Sequence, residues 1–257
     1  MPQYQKFALI YAEGQYPSFS QHFGELLPDL CDQYGIPLTG TLLDVACGEG
    51  TFAVQAAQNG WLVTGIDQSE EMLELAIKQS GKLGIEVIFK KADMRDLDYC
   101  NEFDLVTCLF DAVNYMLEEI DLKLTFSGAN RALKEKGWFI FDMNTIYGLS
   151  TRWGSQNRTV PIDTEDIIAI HRPIYDFEKQ LATMRITGFI RQNKFWERID
   201  EIHQERGYPI ERIKTILADT GFDLVSCLGS IEDFSPPGVD SGRVWFIARK
   251  TGHADAS

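Results

Sequence analysis

The chain has 257 residues, of which 44% are hydrophobic and 12% aromatic, and a formal net charge of −14. Length and apolar content suffice for one sizeable core plus an insertion, and exclude a disordered or fibrous chain. The negative balance argues against a nucleic-acid partner, whose recognition rests on Lys and Arg neutralising phosphates. No apolar run reaches the roughly 18 residues of a membrane span, and the start lacks a secretory signal pattern. Neither membrane nor secretion is therefore expected, and a cytoplasmic location is. Five cysteines, Cys31, Cys47, Cys100, Cys108 and Cys227, are scattered without a CxxC pair. No metal site and no disulfide framework follow from them.

Residues 1–40 read as a helical cover, with helical patterns over 4–12 and 19–34 separated by Gly14 and Pro17. From 41 to 144, short apolar runs at 42–46, 61–66, 87–89, 103–110 and 138–141 alternate with longer helical patterns. That alternation is the mark of strand-helix-strand units, and near-continuous apolarity suits strands covered on both faces. Met72, Leu75, Ala76 and Leu83 recur at helical spacing behind Ser69, an N-cap candidate, with Glu70 and Glu71 at the helix's positive end. After Asn144, some sixty residues lack a clear helix, and β-rich runs at 167–175, 182–190 and 195–203 predict an inserted antiparallel sheet within 147–206. The helical period returns at Ile210, Ile213, Ile216 and Leu217. Strands at 222–226 and 244–248 follow, joined by a Gly/Pro-bearing loop that suits an antiparallel pair. The expected fold class is α/β, a doubly wound and mostly parallel sheet over 41–146 and 207–250, plus the inserted antiparallel β subdomain.

The strongest local signal is Asp44-Val45-Ala46-Cys47-Gly48-Glu49-Gly50-Thr51, between the first strand and its helix. Glycines there let the backbone approach a ligand, and the helix N-terminus offers unpaired N–H groups. Asp67 ends the second strand, where a carboxylate can accept both hydroxyls of a ribose. Asp93 follows the third strand and could accept from an adenine amino group, with Met94 packing on the ring. Gly48-x-Gly50-x-x-Ala53 also satisfies the dinucleotide pattern. Two features favour a different nucleoside: Asp44 precedes the glycines, where it suits an ammonium and opposes a pyrophosphate, and an antiparallel last pair departs from the dinucleotide fold.

This motif resembles motif I of class I S-adenosylmethionine-dependent methyltransferases, acidic-x-(Ala/Gly)-x-Gly-x-Gly, and Asp67 and Asp93 fall in that family's order. The resemblance covers 41–144 and the closing strands, with Glu49 standing where Thr is commoner. It implies a seven-stranded sheet with an antiparallel last strand, S-adenosyl-L-methionine as cofactor, and contacts from Asp44, Ala46, Gly48, Gly50, Asp67, Gln68, Asp93, Met94 and Leu109. A narrower similarity is to small-molecule methyltransferases with an antiparallel insertion after strand five, including sugar N,N-dimethyltransferases. It rests on the segments 110–115, 141–144 and 200–208.

Methyl transfer is an in-line displacement, so the chain must chiefly align an acceptor lone pair and exclude water. His203, between Glu201 and Glu205, is the first candidate to help remove a proton, with a structural histidine as the alternative. Asp111, Asn114 and Tyr115 follow the fourth strand, where open α/β sheets bind ligands; helix capping and core packing compete with that role. Tyr11, Tyr16 and Phe19 could form an aromatic cover favouring a sulfonium's charge. Asp142 and Asn144 read as turn residues or substrate orienters, and Trp153, Trp196 and Trp245 as core or lid anchors. His22, His171 and His253 look ordinary. Ile167, Ile168, Ile170, Ile174, Phe189, Phe195 and Trp196 make the insertion too apolar for a solvated loop, which predicts a lid over the acceptor or a homodimer contact. The expected activity is methyl transfer to nitrogen or oxygen of a small polar metabolite, against an NAD(P)-dependent oxidoreductase or a non-catalytic nucleoside-binding module.

Overall fold

The computed structural model describes residues 7–13, 17–154 and 158–251. Two helices lead, α1 (Phe7–Glu13) and α2 (Pro17–Tyr34). Then come β1 (Gly40–Val45), α3 (Thr51–Gln58), β2 (Trp61–Asp67), α4 (Glu70–Leu83), β3 (Ile88–Lys91) and β4 (Phe103–Cys108). A 3₁₀ turn (Ala112–Tyr115), α5 (Glu119–Ala132), β5 (Leu133–Asn144) and α6 (Ile146–Gly154) lead into the insertion. Its strands are β6 (Thr159–Asp163), β7 (Ile167–Asp176), β8 (Leu181–Gln192) and β9 (Phe195–Arg206). The chain closes with α7 (Ile210–Asp219), β10 (Phe222–Leu228) and β11 (Arg243–Lys250).

The main sheet has seven strands in the order β10-β11-β5-β4-β1-β2-β3. Pairs among β1 to β5 are parallel, while β11 runs antiparallel to both β5 and β10. Alternate residues of one strand feed opposite cores. Leu43, Val106, Phe139 and Phe141 pack with α5 and α7, whereas Leu42, Leu105 and Ile140 pack with α2 and α3. Burial of both faces is why these strands read as unbroken apolar runs.

Strand ends are set by backbone conformation. Ala46, expected inside the first strand, has φ 58°, and Phe110, expected inside the fourth, also has φ 58°. A side-chain-bearing residue at positive φ leaves the extended region, so both strands stop earlier. Ser69 caps α4 as expected, accepting from the Met72 backbone N–H at 3.1 Å.

Two elements depart from the sequence reading. β5 begins at Leu133 rather than near Trp138, because the charged run Lys134-Glu135-Lys136 hides its first half, and the pairing with β4 is irregular there. Residues 146–154 form α6, where no helix was expected. Gly148, Ser150 and Thr151 are poor helix formers, and tertiary contacts hold the segment: Leu149 is fully buried with Tyr175 and Ala182. A Cβ at Gly148 would lie 1.9 Å from the Gly242 carbonyl oxygen, so only glycine lets α6 approach the loop before β11.

The insertion is an antiparallel sheet, β6-β7-β8-β9. Its inner face carries Ile167, Ala169, Ile186 and Ile199, which cluster with Phe7, Ala8 and Ile10 of α1 and with Met72 of α4. Gly188 makes room for Ile10, whose Cδ1 would lie 2.2 Å from a Cβ there. The seven apolar residues singled out in the sequence do not act together. Ile167 is buried, but Ile174, Phe195 and Trp196 are 56%, 77% and 42% exposed. Strand alternation turns Ile174 and Trp196 outward, so Trp196 is no core anchor, while Trp245 is buried in the main core. Among the described residues, no helix is long and apolar enough to cross a membrane.

Candidate functional site

A cleft with about 950 Å³ of empty space, its open mouth included, lies where β1, β2 and β4 end. That is the ligand edge of an open α/β sheet. Its floor is the glycine loop. Ala46 at φ 58° and Gly48 at φ 55° turn the chain, closed by hydrogen bonds from Cys47 N–H to the Ile66 carbonyl (2.9 Å) and from Gly50 N–H to the Cys47 carbonyl (3.0 Å). A Cβ at Gly48 would meet nothing within 4 Å, so the missing side chain leaves open cradle.

The carboxylates come from strand ends. Asp44 is 2% exposed and accepts from the Thr107 hydroxyl at 2.8 Å. Thr107 is its register partner on β4. Burial pushes the Asp44 carboxyl up to about 7, and the Glu49 and Asp67 charges push the same way. Asp67 accepts from the Gly48 N–H (2.9 Å) and the Ser69 N–H (2.8 Å), tying the glycine loop to the start of α4. Burial raises Asp67 and Glu49 too. Glu49, which stands where Thr is commoner in the motif, is 5% exposed and lines the cleft.

Asp44, Ala46, Gly48, Asp67, Gln68, Asp93, Met94 and Leu109 all line this cleft, together with Tyr11 and Tyr115. Asp93 is held below the usual carboxylate range chiefly by the Arg95 side chain, which donates to it at 2.9 and 2.6 Å. Gly50 does not line the cleft. At φ 85°, with a Cβ position 2.8 Å from the Ala76 Cβ, it serves the junction of α3 with α4.

The remaining candidates lie behind the cleft wall. Asn114 is fully buried, donating to the Asn144 and Arg206 carbonyls (3.0 and 2.8 Å) and accepting from the Asn144 N–H (2.8 Å). It clips the 3₁₀ turn to β5 and β9. Asp111 accepts from Asn144 Nδ2 (2.7 Å) and Arg243 Nη2 (3.0 Å). Neither Asp111 nor Asn114 faces the cleft; both are engaged in cross-strand contacts. Asp142 is fully buried on β5 rather than in a turn, accepting from the Phe110 and Asp111 N–H groups (2.6 and 3.0 Å) and from Arg243. It thereby fixes two consecutive left-handed residues, Phe110 and Asp111, with φ 58° and 55°. Asn144 also donates to Glu205, whose carboxyl burial drives well up. Arg243 stacks on Phe19 (4.5 Å) and Phe110 (5.5 Å), and Phe19 also stacks on Trp245. Of the expected aromatic cover, Tyr11 reaches the cleft, Phe19 stiffens its wall, and Tyr16 lies outside the described residues, as does His253.

His203 is 2% exposed and meets the cleft through Tyr115, whose hydroxyl is 3.1 Å from His203 Nδ1. Sequence reading missed Arg243 and Glu205 as parts of this wall. Arg243 had no local signal, because only the pairing of β11 with β5 sets it opposite Asn144.

With this geometry in place, comparison with known proteins adds relatives. Residues 42–137 match the family model described as methyltransferase domain. A protein of Geobacillus sp. (strain WCH70) that bears a methyltransferase name is 33% identical over 85% of this chain and 87% of its own. An S-adenosylmethionine-dependent methyltransferase from Clostridium acetobutylicum superposes with a TM-score of 0.82 at 27% identity, over 96% of this chain and 98% of that one. A dTDP-4-amino-2,3,4,6-tetradeoxy-D-glucose N,N-dimethyltransferase from Saccharopolyspora spinosa is 32% identical over 40% of this chain and 39% of its own.

Proposed function

The chain belongs to the S-adenosylmethionine-dependent methyltransferases, and from that premise we propose that it methylates a nitrogen or oxygen of a small polar metabolite, an amine nitrogen first among them. The carrying observation is the charge of the cleft: Asp44, Glu49, Asp67 and Asp93 line it, and among the described residues its one lining cation is Arg95, already paired with Asp93 and Asp121. Such a wall attracts cations and opposes phosphates, which also favours a small acceptor over a nucleic acid. The amino-sugar dimethyltransferase among the relatives points the same way.

In this reading Asp44 and the glycine loop hold the amino acid end of the cofactor, Asp67 its ribose, and Asp93 and Met94 its adenine. Bound S-adenosylmethionine supplies a methyl group on a cationic sulfur. The chain aligns the acceptor against it and excludes water. Tyr11 and Phe110, edge to face at 6.2 Å, give the acceptor side an aromatic wall. The insertion acts as a lid through α1, since its inner face packs on Phe7 and Ile10 while α1 presents Tyr11 to the cleft.

Three measurements test this. S-adenosylhomocysteine should raise the melting temperature and NADH should not, because the carboxylates oppose a pyrophosphate; a shift with NADH alone would reject the placement. A panel of alkylamines, anilines, phenols and alcohols, followed by release of S-adenosylhomocysteine in mass spectrometry, then finds the acceptor class, with alkylamines expected to lead. Asp67→Ala should weaken S-adenosylhomocysteine by about 1–3 kcal/mol, the value of charge-assisted hydrogen bonds to a ribose. Unchanged affinity in calorimetry would remove Asp67 from the binding set.

A further inference from the structure

We propose that Tyr115, His203 and Glu201 form a proton relay that takes the proton from the acceptor, with Tyr115 touching the substrate and Glu201 acting as the positioning residue. The inference rests on the amine-methylating reading above and extends it to residues behind the cleft wall.

The geometry is continuous from solvent-facing cleft to buried carboxylate. Tyr115 lines the cleft and its hydroxyl lies 3.1 Å from His203 Nδ1. His203 Nε2 lies 3.2 Å from Glu201 Oε2. The other carboxylate oxygen, Oε1, accepts from the Phe7 backbone N–H of α1 at 3.0 Å. The His203 and Glu201 side chains are 3% and 12% exposed. Both sit on the inner face of β9 with Glu205, two positions further along; Met184 and Ile186 are their register partners on β8. Phe7 closes the fourth side, its ring edge-to-face with the His203 ring at 5.5 Å. His171, the other histidine of that face, is driven down to about 4, chiefly by burial, and stays neutral.

Hydrogen-bond chemistry orders the chain. An ionised carboxylate only accepts, so Glu201 places the imidazole proton on Nε2, and Nδ1 then offers a lone pair. Tyr115 must donate its proton to that lone pair, and a hydroxyl so committed meets a substrate as an acceptor. An alkylamine arrives as its ammonium, which has no lone pair to attack with. Its proton passes to the Tyr115 oxygen as the Tyr115 proton passes to His203 Nδ1, and the imidazolium is held by Glu201. The freed nitrogen lone pair then forms the N–C bond while the S–C bond breaks with its electron pair remaining on sulfur. His203 returns the proton to solvent between turnovers. Because Glu201 also receives the first described N–H of α1, the relay is anchored to the helix that brings Tyr11 to the cleft.

The test uses the whole chain saturated with S-adenosylhomocysteine and histidine labelled with ¹⁵N. The long-range ¹H–¹⁵N spectrum should show His203 as the Nε2–H tautomer. Glu201→Gln, whose amide can donate to Nε2, should shift the population toward Nδ1–H. An Nδ1–H tautomer in the wild type overturns the relay whatever the acceptor, since His203 would then donate to Tyr115. Ethanolamine, which arrives protonated, and aniline, which arrives with its lone pair free, are the activity probes. Tyr115→Phe should lower kcat with ethanolamine about 100-fold and Glu201→Gln about 10-fold or more, within the range of proton-transfer catalysis. The aniline rate should fall far less than the ethanolamine rate in both variants, because aniline brings its lone pair free. Equal losses with both amines would make these residues structural and overturn the proposal. Absence of S-adenosylhomocysteine binding by the wild type would instead sink the methyltransferase placement, which separates the two failures.

Discussion

Replacing Arg243 with alanine is expected to destabilise the protein by about 3–5 kcal/mol, the cost of breaking a buried charge pair by removing one partner. Arg243 is the cation between Asp111 and Asp142, with side chains 13%, 13% and 0% exposed. Burial already lifts Asp142 to about 6, and Arg243 is the first of the groups that oppose that rise, ahead of the Asp111 backbone N–H. Without it, Asp142 and Asp111 become like charges in a desolvated site, with Glu205 next to them. The folded pKa of Asp142 then rises further above the unfolded one. The cost is therefore fully present at high pH and shrinks as pH falls and the carboxyls take up protons. Denaturant unfolding at pH 8 and pH 5 checks this, with the larger loss expected at pH 8. Adding Asp142→Asn should recover part of the loss, because it removes the charge that repels Asp111 while the amide oxygen still accepts from one of the two N–H groups, Phe110 and Asp111, that the two carboxylate oxygens serve. Equal losses at both pH values would mean that the guanidinium acts by packing on Phe19 and Phe110 rather than by charge.

The second large effect concerns Asp44 and has opposite signs for stability and binding. With its folded pKa raised by burial to about 7, well above the ordinary carboxylate range, the folded apo protein holds a proton that the unfolded chain releases. Asp44 thus lowers apo stability progressively as pH climbs through that window. An incoming ammonium needs the ionised form. Cofactor affinity should therefore rise roughly eightfold from pH 6 to pH 7.5, by proton linkage to a group titrating near 7. Asp44→Asn keeps an acceptor for Thr107 and removes the charge. It should melt higher than the wild type at pH 8 without ligand, yet bind S-adenosylmethionine about 1.5–3 kcal/mol more weakly, with a flatter pH profile. Calorimetry at the two pH values reads both consequences. A steep profile retained in the variant would assign the linkage to Glu49 or Asp67.

This trade between stability and binding bears on the molecule as a whole. Among the described residues of the cleft, Asp44, Glu49 and Asp67 have no cation to match them, Arg95 being paired with Asp93, while the wall behind is neutralised internally through Arg243. A cationic ligand completes the first set, and nothing in the second set is spare. Asp111 and Asn114 are therefore better understood as the frame that aims Phe110 and Tyr115 than as groups meeting an acceptor.

The local sequence by itself determined the parts whose signals lie within a few residues of each other. The apolar runs declared strands buried on both faces, Ser69 declared the start of α4, and the glycine loop with Asp44, Asp67 and Asp93 declared a nucleoside cleft at the strand ends. Each depends on alternation, capping or backbone freedom, which short stretches encode directly. Tertiary structure alone decided what those stretches meet. Arg243 stands 132 positions from Asp111 and Phe7 stands 194 from Glu201, and no local pattern announces such partners. The register of β11 on β5 brings the first pair together, and the docking of α1 on the inserted sheet brings the second. Helix α6 belongs with them, since Gly148, Ser150 and Thr151 disfavour a helix, and beyond the cap from the Thr145 hydroxyl it is the burial of Leu149 and the close approach of Gly148 to Gly242 that hold one. Propensity and periodicity act along the chain, whereas burial and charge pairing act across it, and a buried ion pair takes its meaning from its surroundings.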